Sequence, residues 1–499
     1  MRWTMLLGAR ADHLDWPRTR FCPLRLRGSA TLLATAIVLA GLACETVPVR
    51  PNVVVIMTDD HATQMMSAYG SERASTPNLD RIAEEGIIFR NSFCTNPLCA
   101  PSRATLITGK YSHSNGQRGN RDIFDGSQPT LPKMLQHAGY RTAIVGKWHL
   151  RSEPSGFDYW NVLPGQGLYR NPTLIEMGEE HRHSGYVSTI ITDLAVEWIR
   201  DRDRTRPFLL FLHHKAPHGQ WVPDEKHEGL FEDERVPRPE SFDDDYTGRA
   251  APIRNATNRL VPDLLARWRT WGAELAKEDP GDLAGEELAE WMYQQYVKDY
   301  KRVMVSVDEN VGRFLDFLED EGLADDTLVI YTSDNGKFVG DHFMFDKRLM
   351  HEESLRIPLA VRYPRAIAAG SETGAFALNV DFAPTILDYA GVAVPEDVQG
   401  RSLRPVLEGR QPADWRDSFY FQYFEPPGGH NVIPHYGVRT ERYKLVRHEA
   451  GDGVWEFVDL ESDPLEYRNE YENPRYSAQV LELREELQLL RESLEAADE

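Results

Sequence analysis

The chain has 499 residues, 41% of them apolar and 27% charged, a mix that can bury a sizeable core and argues against wholesale disorder. Asp and Glu number 78 against 56 Lys and Arg, a formal net charge of −22. That balance argues against a nucleic-acid binder or a polybasic membrane sensor, but permits a locally positive pocket for an anionic substrate.

The first 44 residues read as a signal peptide. Arg2, Arg10, Arg18, Arg20, Arg25 and Arg27 precede an apolar stretch from Ala30 to Ala43, which is too short for a comfortable membrane span. Its end, Gly41-Leu42-Ala43-Cys44, has small residues where a signal peptidase cuts. They weakly resemble a lipobox, with Gly41 where such boxes usually carry Leu. The expectation is an exported protein, periplasmic or extracellular, that meets a membrane only if Cys44 is lipidated. The four cysteines (Cys22, Cys44, Cys94, Cys99) support neither a disulfide scaffold nor a paired zinc module.

Four apolar runs then end abruptly in polar clusters. Val53–Met57 runs into Asp59-Asp60, and Thr142–Val145 into Gly146-Lys147-Trp148-His149. Phe208–Leu212 runs into His213–His218, and Thr327–Tyr331 into Ser333-Asp334-Asn335-Gly336. Continuous β-branched runs predict strands buried on both faces. Helical patterns lie between them at 78–85, 131–138, 190–200 and 285–321. The alternation predicts an α/β fold with a large, mostly parallel central sheet flanked by helices. Ligands of such sheets bind beyond the strands' carboxyl ends, where all four polar clusters fall. Residues 50–404 are read as the catalytic domain, with an insertion at about 225–290 rich in acids, Pro and Trp. Residues 405–499 are read as a C-terminal subdomain: a small antiparallel sheet with strands at 417–424, 436–448 and 454–460, then a helix at 478–496.

Asp59, Asp60, Asp334 and Asn335 are hard oxygen donors, suited to Ca²⁺ or Mg²⁺ rather than zinc. Either pair alone is an ordinary turn sequence. The segment Leu98-Cys99-Ala100-Pro101-Ser102-Arg103 changes that balance. Its Cys-x-Pro-Ser-Arg core resembles the signature of the formylglycine sulfatases of the alkaline phosphatase superfamily. Asp59-Asp60, Gly146-Lys147-Trp148-His149, Ala216-Pro217-His218, Ser333-Asp334-Asn335-Gly336 and Asp346-Lys347-Arg348 match further elements in the family order.

The resemblance implies a catalytic set of Cys99, Arg103, Lys147, His149, His218 and Lys347. It implies that a maturation enzyme converts Cys99 to formylglycine, whose hydrate attacks sulfur with one hydroxyl and expels sulfate through the other. Arg103 and His149 are expected to orient and deprotonate the diol. Lys147 and Lys347 are expected to bind sulfate oxygens, and His218 to protonate the leaving alcohol. One Ca²⁺ is expected on Asp59, Asp60, Asp334, Asn335 and residue 99.

The long helix at 293–311 and the stretch His435–Leu445 resemble bacterial N-acetylglucosamine-6-sulfatases and mucin-desulfating enzymes. The implied substrate is a 6-O-sulfated N-acetylglucosamine unit of a glycosaminoglycan or mucin-type glycan, with His435 and Arg439 as candidate sugar contacts. The chain departs from many relatives at Gly340-Asp341-His342-Phe343, near Lys347. Two alternatives stand beside this reading: a phosphonate monoester or phosphodiester hydrolase of the same superfamily, and a non-catalytic glycan-binding protein with unmodified Cys99.

Overall fold

The computed structural model describes residues 50–275 and 277–496. The expected signal peptide, Cys22 and Cys44 lie outside those residues. In chain order the main sheet comprises β1 Asn52–Thr58, β2 Ile87–Phe89, β3 Arg141–Lys147, β4 Tyr159–Leu163, β5 Thr173–Glu176, β6 Glu179–Arg182, β7 Phe208–His213, β8 Thr327–Ser333, β9 Leu359–Arg362 and β10 Ser371–Thr373. Their spatial order is β10-β2-β9-β8-β1-β7-β3-β4-β5-β6. The middle strands β8, β1, β7, β3 and β4 run parallel. On one side β9 pairs antiparallel with β8 and β2, and on the other β5 and β6 fold back antiparallel.

β1 shows why the runs are continuously apolar. Successive strand residues face opposite sides of a sheet. Val54 and Ile56 pack among the residues of helices α1 Pro77–Glu84, α4 Val187–Asp201 and α5 Gly285–Asp320. Val53, Val55 and Met57 pack with α2 Cys99–Thr108, α3 Leu131–His137 and α6 Phe382–Tyr389 on the other face. Both faces are buried, so neither tolerates a polar residue. Truncating such a side chain to Ala costs about 2–5 kcal/mol.

The expected insertion consists of short turns and the helices Ala251–Asn255 and Leu265–Leu275. It lies against α5: Val236, Phe242, Leu264 and Trp268 share a core with Met292 and Tyr296. The C-terminal sheet has four antiparallel strands, β11 Ser418–Tyr423, β12 His435–Thr440, β13 Tyr443–His448 and β14 Val454–Asp459, followed by α7 Ser477–Ser493. The stretch 436–448 is therefore a hairpin rather than one strand. Tyr443 N donates to Thr440 Oγ1 at 2.9 Å and closes the two-residue turn. The turn shifts the in-out alternation by one residue, so that His435, Gly437 and Arg439 share a face with Lys444, Val446 and His448, and a continuous apolar-polar reading of 436–448 misses that change of phase. This sheet shares a core with Phe93, Leu98, Phe338 and Leu378, which joins it to the chain around Cys99.

Register aligns the polar clusters. Thr58 stands opposite Ser333, and His213 opposite both Met57 and Gly146. Residues 59–60, 147–149, 213–218 and 334–337 therefore leave the sheet along one edge. Gly146 makes the tightest approach there. Its φ is +107°, and a Cβ would lie 2.0 Å from the His213 carbonyl oxygen.

Candidate active site

Cys99 is the first residue of α2 and is fully buried. The next residue's amide, Ala100 N, donates to Asn120 Oδ1 at 3.0 Å, which satisfies one of the helix's free N–H groups. Cys99 Sγ lies 3.5 Å from Asp59 Oδ1 and receives a hydrogen bond from Lys347 Nζ at 3.3 Å. Burial pushes the thiol's pKa up to about 12 against the pull of Lys347. An unmodified Cys99 is thus a protonated, weak nucleophile at neutral pH.

Asp59, Asp60 and Asp334 are buried with it, and one oxygen of each lies within 4.8 Å of the others and of Cys99 Sγ. Asp60 adopts φ +71°, a conformation that non-glycine residues rarely hold unless the surroundings fix it. Here Asp60 N donates to Asp334 Oδ1 at 3.2 Å, and Tyr300 Oη on α5 donates to the Asp60 carbonyl at 2.7 Å. Asn335 Nδ2 donates to Asp60 Oδ1 at 2.6 Å, while Asn335 Oδ1 is buried with no hydrogen-bond partner. An orphaned amide oxygen beside three carboxylates fits a hard divalent cation, which would satisfy it.

Arg103, one turn along α2, donates from Nε to Asp334 Oδ2 at 2.9 Å and from Nη1 to the Lys147 carbonyl at 2.7 Å. Lys147 Nζ, at the end of β3, contacts Asp59 Oδ2 and Gln166 Oε1. Lys347 Nζ donates to Asp60 Oδ1 at 2.5 Å, and Lys337 Nζ to Asp60 Oδ2 at 2.7 Å. Burial opposes ionisation of Asp60, but Lys337 and Lys347 hold its pKa below the usual carboxylate value. Lys215 is buried nearby, its pKa pushed down to about 8 by burial against the pull of Asp60 and Cys99. Lys215, Lys337 and Gln166 were not among the residues expected from sequence. Lys215 sits inside the recognised His213–His218 cluster and Lys337 directly follows Ser333–Gly336, whereas nothing local marks Gln166, which follows β4.

Buried basic side chains (Arg103, Lys147, Lys215, Lys337, Lys347) thus face the carboxylates of Asp59, Asp60 and Asp334. The excess of positive groups, on a strongly acidic chain, suits an anion.

His149 has φ +63°, accepts from Gln166 Nε2 through its Nε2 at 3.2 Å, and keeps a buried Nδ1 without a partner. Burial, reinforced by Lys147 and Arg103, keeps its ring neutral. A ring nitrogen of half-buried His218 lies within 4.8 Å of ligand atoms of Asp59 and Cys99. Burial and the surrounding lysines hold its pKa well below the ordinary value.

The two candidate sugar contacts are placed otherwise. Arg439 pairs with Glu352 at 3.1 Å and lies over the rings of Phe93 and Phe376. His435 is fully buried, its Nδ1 2.6 Å from the Ile433 carbonyl and its ring against Tyr423 and His448. Their side chains sit on the inner face of the C-terminal sheet because both occupy the same side of β12, two positions apart and then two again. His342, within the departing Gly340–Phe343 segment, is likewise buried, 2.8 Å from Asp244 and 2.9 Å from Arg249.

The sulfatase family model matches residues 51–392. The chain belongs to the sulfatase family. It is a sulfuric ester hydrolase, and membership implies in general a metal ion and a formylglycine. A second model, the C-terminal region of N-sulphoglucosamine sulphohydrolase, matches residues 340–493. This sulfatase is 42% identical to the N-acetylglucosamine-6-O-sulfatase of Bacteroides thetaiotaomicron, over 97% of this chain and 94% of that protein. It is 27% identical to human N-acetylglucosamine-6-sulfatase, over 75% of this chain and 67% of the human one. A solved structure of a protein in complex with its substrate D-glucosamine-2-N,6-O-disulfate superposes with a TM-score of 0.86 at 43% identity, covering 90% of this chain and 99% of that one. The phosphonate monoester hydrolase of Agrobacterium radiobacter shares the fold, with a TM-score of 0.71 at 23% identity, covering 89% of this chain and 96% of that one. Neither the phosphonate-hydrolase nor the glycan-binding alternative is favoured by these likenesses. Among the described residues no helix is long and apolar enough to cross a membrane.

Proposed function

We propose that this sulfatase removes the 6-O-sulfate from N-acetylglucosamine-type units of a sulfated glycan. The observation that carries the reading is the pairing of Lys347 with both Cys99 and Asp60, which sets a cation between the candidate nucleophile and the carboxylate cluster. The near full-length likeness to an N-acetylglucosamine-6-O-sulfatase, and to a structure holding a 6-sulfated glucosamine, supports the choice of sugar.

In this reading Asp59, Asp60, Asp334 and Asn335 would hold one Ca²⁺, which would supply charge stabilisation at the sulfate when bound. Cys99, oxidised to formylglycine by a maturation enzyme, supplies a hydrated aldehyde with one hydroxyl to attack sulfur and one to release sulfate. Arg103 and His149 orient that residue. Lys147 and Lys347 hold the sulfate oxygens where charge develops. His218 gives the proton to the departing sugar oxygen. The arginine-rich and then apolar start of the chain supports export, to the periplasm or beyond the cell.

The test compares kcat/KM on N-acetylglucosamine-6-sulfate, galactose-6-sulfate, a 2-O-sulfated uronate and an aryl phosphate diester. The expected order places N-acetylglucosamine-6-sulfate first. Preference for the uronate overturns the sugar assignment, and preference for the diester overturns the assignment of sulfate as the group transferred.

A further inference from the structure

A cavity of about 1320 Å³ is lined by residues that adjoin the Cys99 site. Arg348, next in sequence to Lys347, lines it. So does Asn120, whose side chain caps the amide following Cys99. From there the cavity extends along the loop 426–429 to the C-terminal sheet at Arg447. Pockets for a compact ligand occupy about 300–1,000 Å³. One hexosamine sulfate therefore leaves much of this space unfilled.

The charges on its walls are unequal. Arg121, Arg267 and Arg447 line the cavity, and among the described residues none of the three has a carboxylate partner. Arg267 donates to the Gly429 carbonyl at 3.1 Å, and Arg447 reaches Tyr436 Oη at 3.4 Å. The inner acids are already engaged. Glu425 accepts from Arg348 and from Asn120 N, each at 2.8 Å. Asp122 accepts from the backbone amides of Arg118 and Gly119 at 2.9 and 2.7 Å. Glu449 and Glu495 are exposed. Arg267 and Arg447 are half-buried and Arg121 is exposed, so this concave wall offers guanidinium groups without counter-charges to an anion entering from solvent, on a chain of net charge −22.

We propose that this cavity is a subsite for a second, anionic sugar of the same glycan. The neighbour's carboxylate or sulfate groups are received by Arg121, Arg267 and Arg447, so that anionic oligosaccharides are hydrolysed in preference to the free sulfated monosaccharide. The proposal rests on the sulfatase reading of the Cys99 site.

The experiment measures kcat/KM on four probes. They are N-acetylglucosamine-6-sulfate; an N-acetylglucosamine tetramer carrying one 6-sulfate; a tetrasaccharide alternating uronic acid with 6-sulfated N-acetylglucosamine; and its counterpart carrying 2-O-sulfate on the uronic acid. One charge-assisted contact is worth roughly tenfold. The uronate tetrasaccharide should exceed the monosaccharide by at least roughly that factor, and the advantage should shrink in high salt. The singly sulfated tetramer should show no comparable gain. Arg447→Gln and Arg121→Gln should each reduce the advantage, with unchanged thermal unfolding as the check on folding. A further gain with the 2-O-sulfated probe assigns the contact to sulfate, and an equal gain assigns it to the uronate carboxylate. Equal efficiency on monosaccharide and anionic tetrasaccharide overturns the subsite, as does an equal gain on the singly sulfated tetramer. The wild-type comparison decides this even if a variant misfolds. Absence of turnover on every probe, with formylglycine verified by mass spectrometry, overturns instead the underlying reading of the Cys99 site.

Discussion

Arg103 Nε meets Asp334 Oδ2 at 2.9 Å, with side chains 2% and 0% exposed. The pair joins the helix that begins with Cys99 to the carboxyl end of β8, across 231 residues of chain. Asp334 also receives the Asp60 amide, so one carboxylate fixes both the nucleophile's helix and the strained turn beside it.

Asp334→Ala should therefore be costly twice. It removes the nearer of the two carboxylates that pair with the buried Arg103, leaving only Asp59 at 3.4 Å, which destabilises by up to about 3–5 kcal/mol. It also removes a donor from the proposed cation site. Chemical denaturation checks the first effect. Metal content and sulfate release check the second, and both should fall together.

Thorough chelation should abolish activity, and Ca²⁺ should restore it more fully than Zn²⁺. The reason is the oxygen-only set of three carboxylates and the Asn335 amide oxygen. Full activity in protein shown by elemental analysis to be metal-free would refute this.

Cys99→Ala should retain the fold and lose sulfate release to background, because the residue supplies chemistry and its side chain is small. Peptide mass spectrometry of active wild-type protein should find an aldehyde at position 99. A free thiol there in fully active protein is the contrary result.

Gly146→Ala should destabilise the protein severely. The new methyl meets the His213 carbonyl at 2.0 Å in a backbone conformation suited to glycine, so β3 must separate from β7. Lys147 and His149 move with it. The expected outcome is loss of soluble protein or, in what survives, loss of turnover alongside a lowered Tm.

Gln166→Ala removes an amide that touches both Lys147 and His149. Its role is positioning, so kcat should fall by roughly tenfold, the value of about one hydrogen bond, with KM and Tm little changed. Equal losses in kcat and Tm would mark the residue as merely structural.

Much of this was legible in the sequence because the relevant signals are local. Strands buried on both faces must be apolar throughout, so Val53–Met57, Thr142–Val145, Phe208–Leu212 and Thr327–Tyr331 announce a covered sheet, and the polar residues that end them announce its functional edge. The hard-donor character of Asp59, Asp60, Asp334 and Asn335 is likewise a property of the residues themselves. What the sequence leaves open depends on which distant groups share a small volume. The pairing of 435–440 with 443–448 turns on a two-residue hairpin, which shifts the alternation by a single residue within an otherwise unbroken run. The engagement of Arg439 by Glu352 and of His435 by its aromatic neighbours follows from the face of β12 that is turned inward. Gln166, Lys215 and Lys337 join the site only because parallel strands bring their loops to one edge, where burial strengthens every charge they carry. Residue type and strand order thus determined that there is a site and what chemistry it can hold. Tertiary packing, by burying some charges in pairs and leaving others facing a cavity, decided which side chains are free to use it.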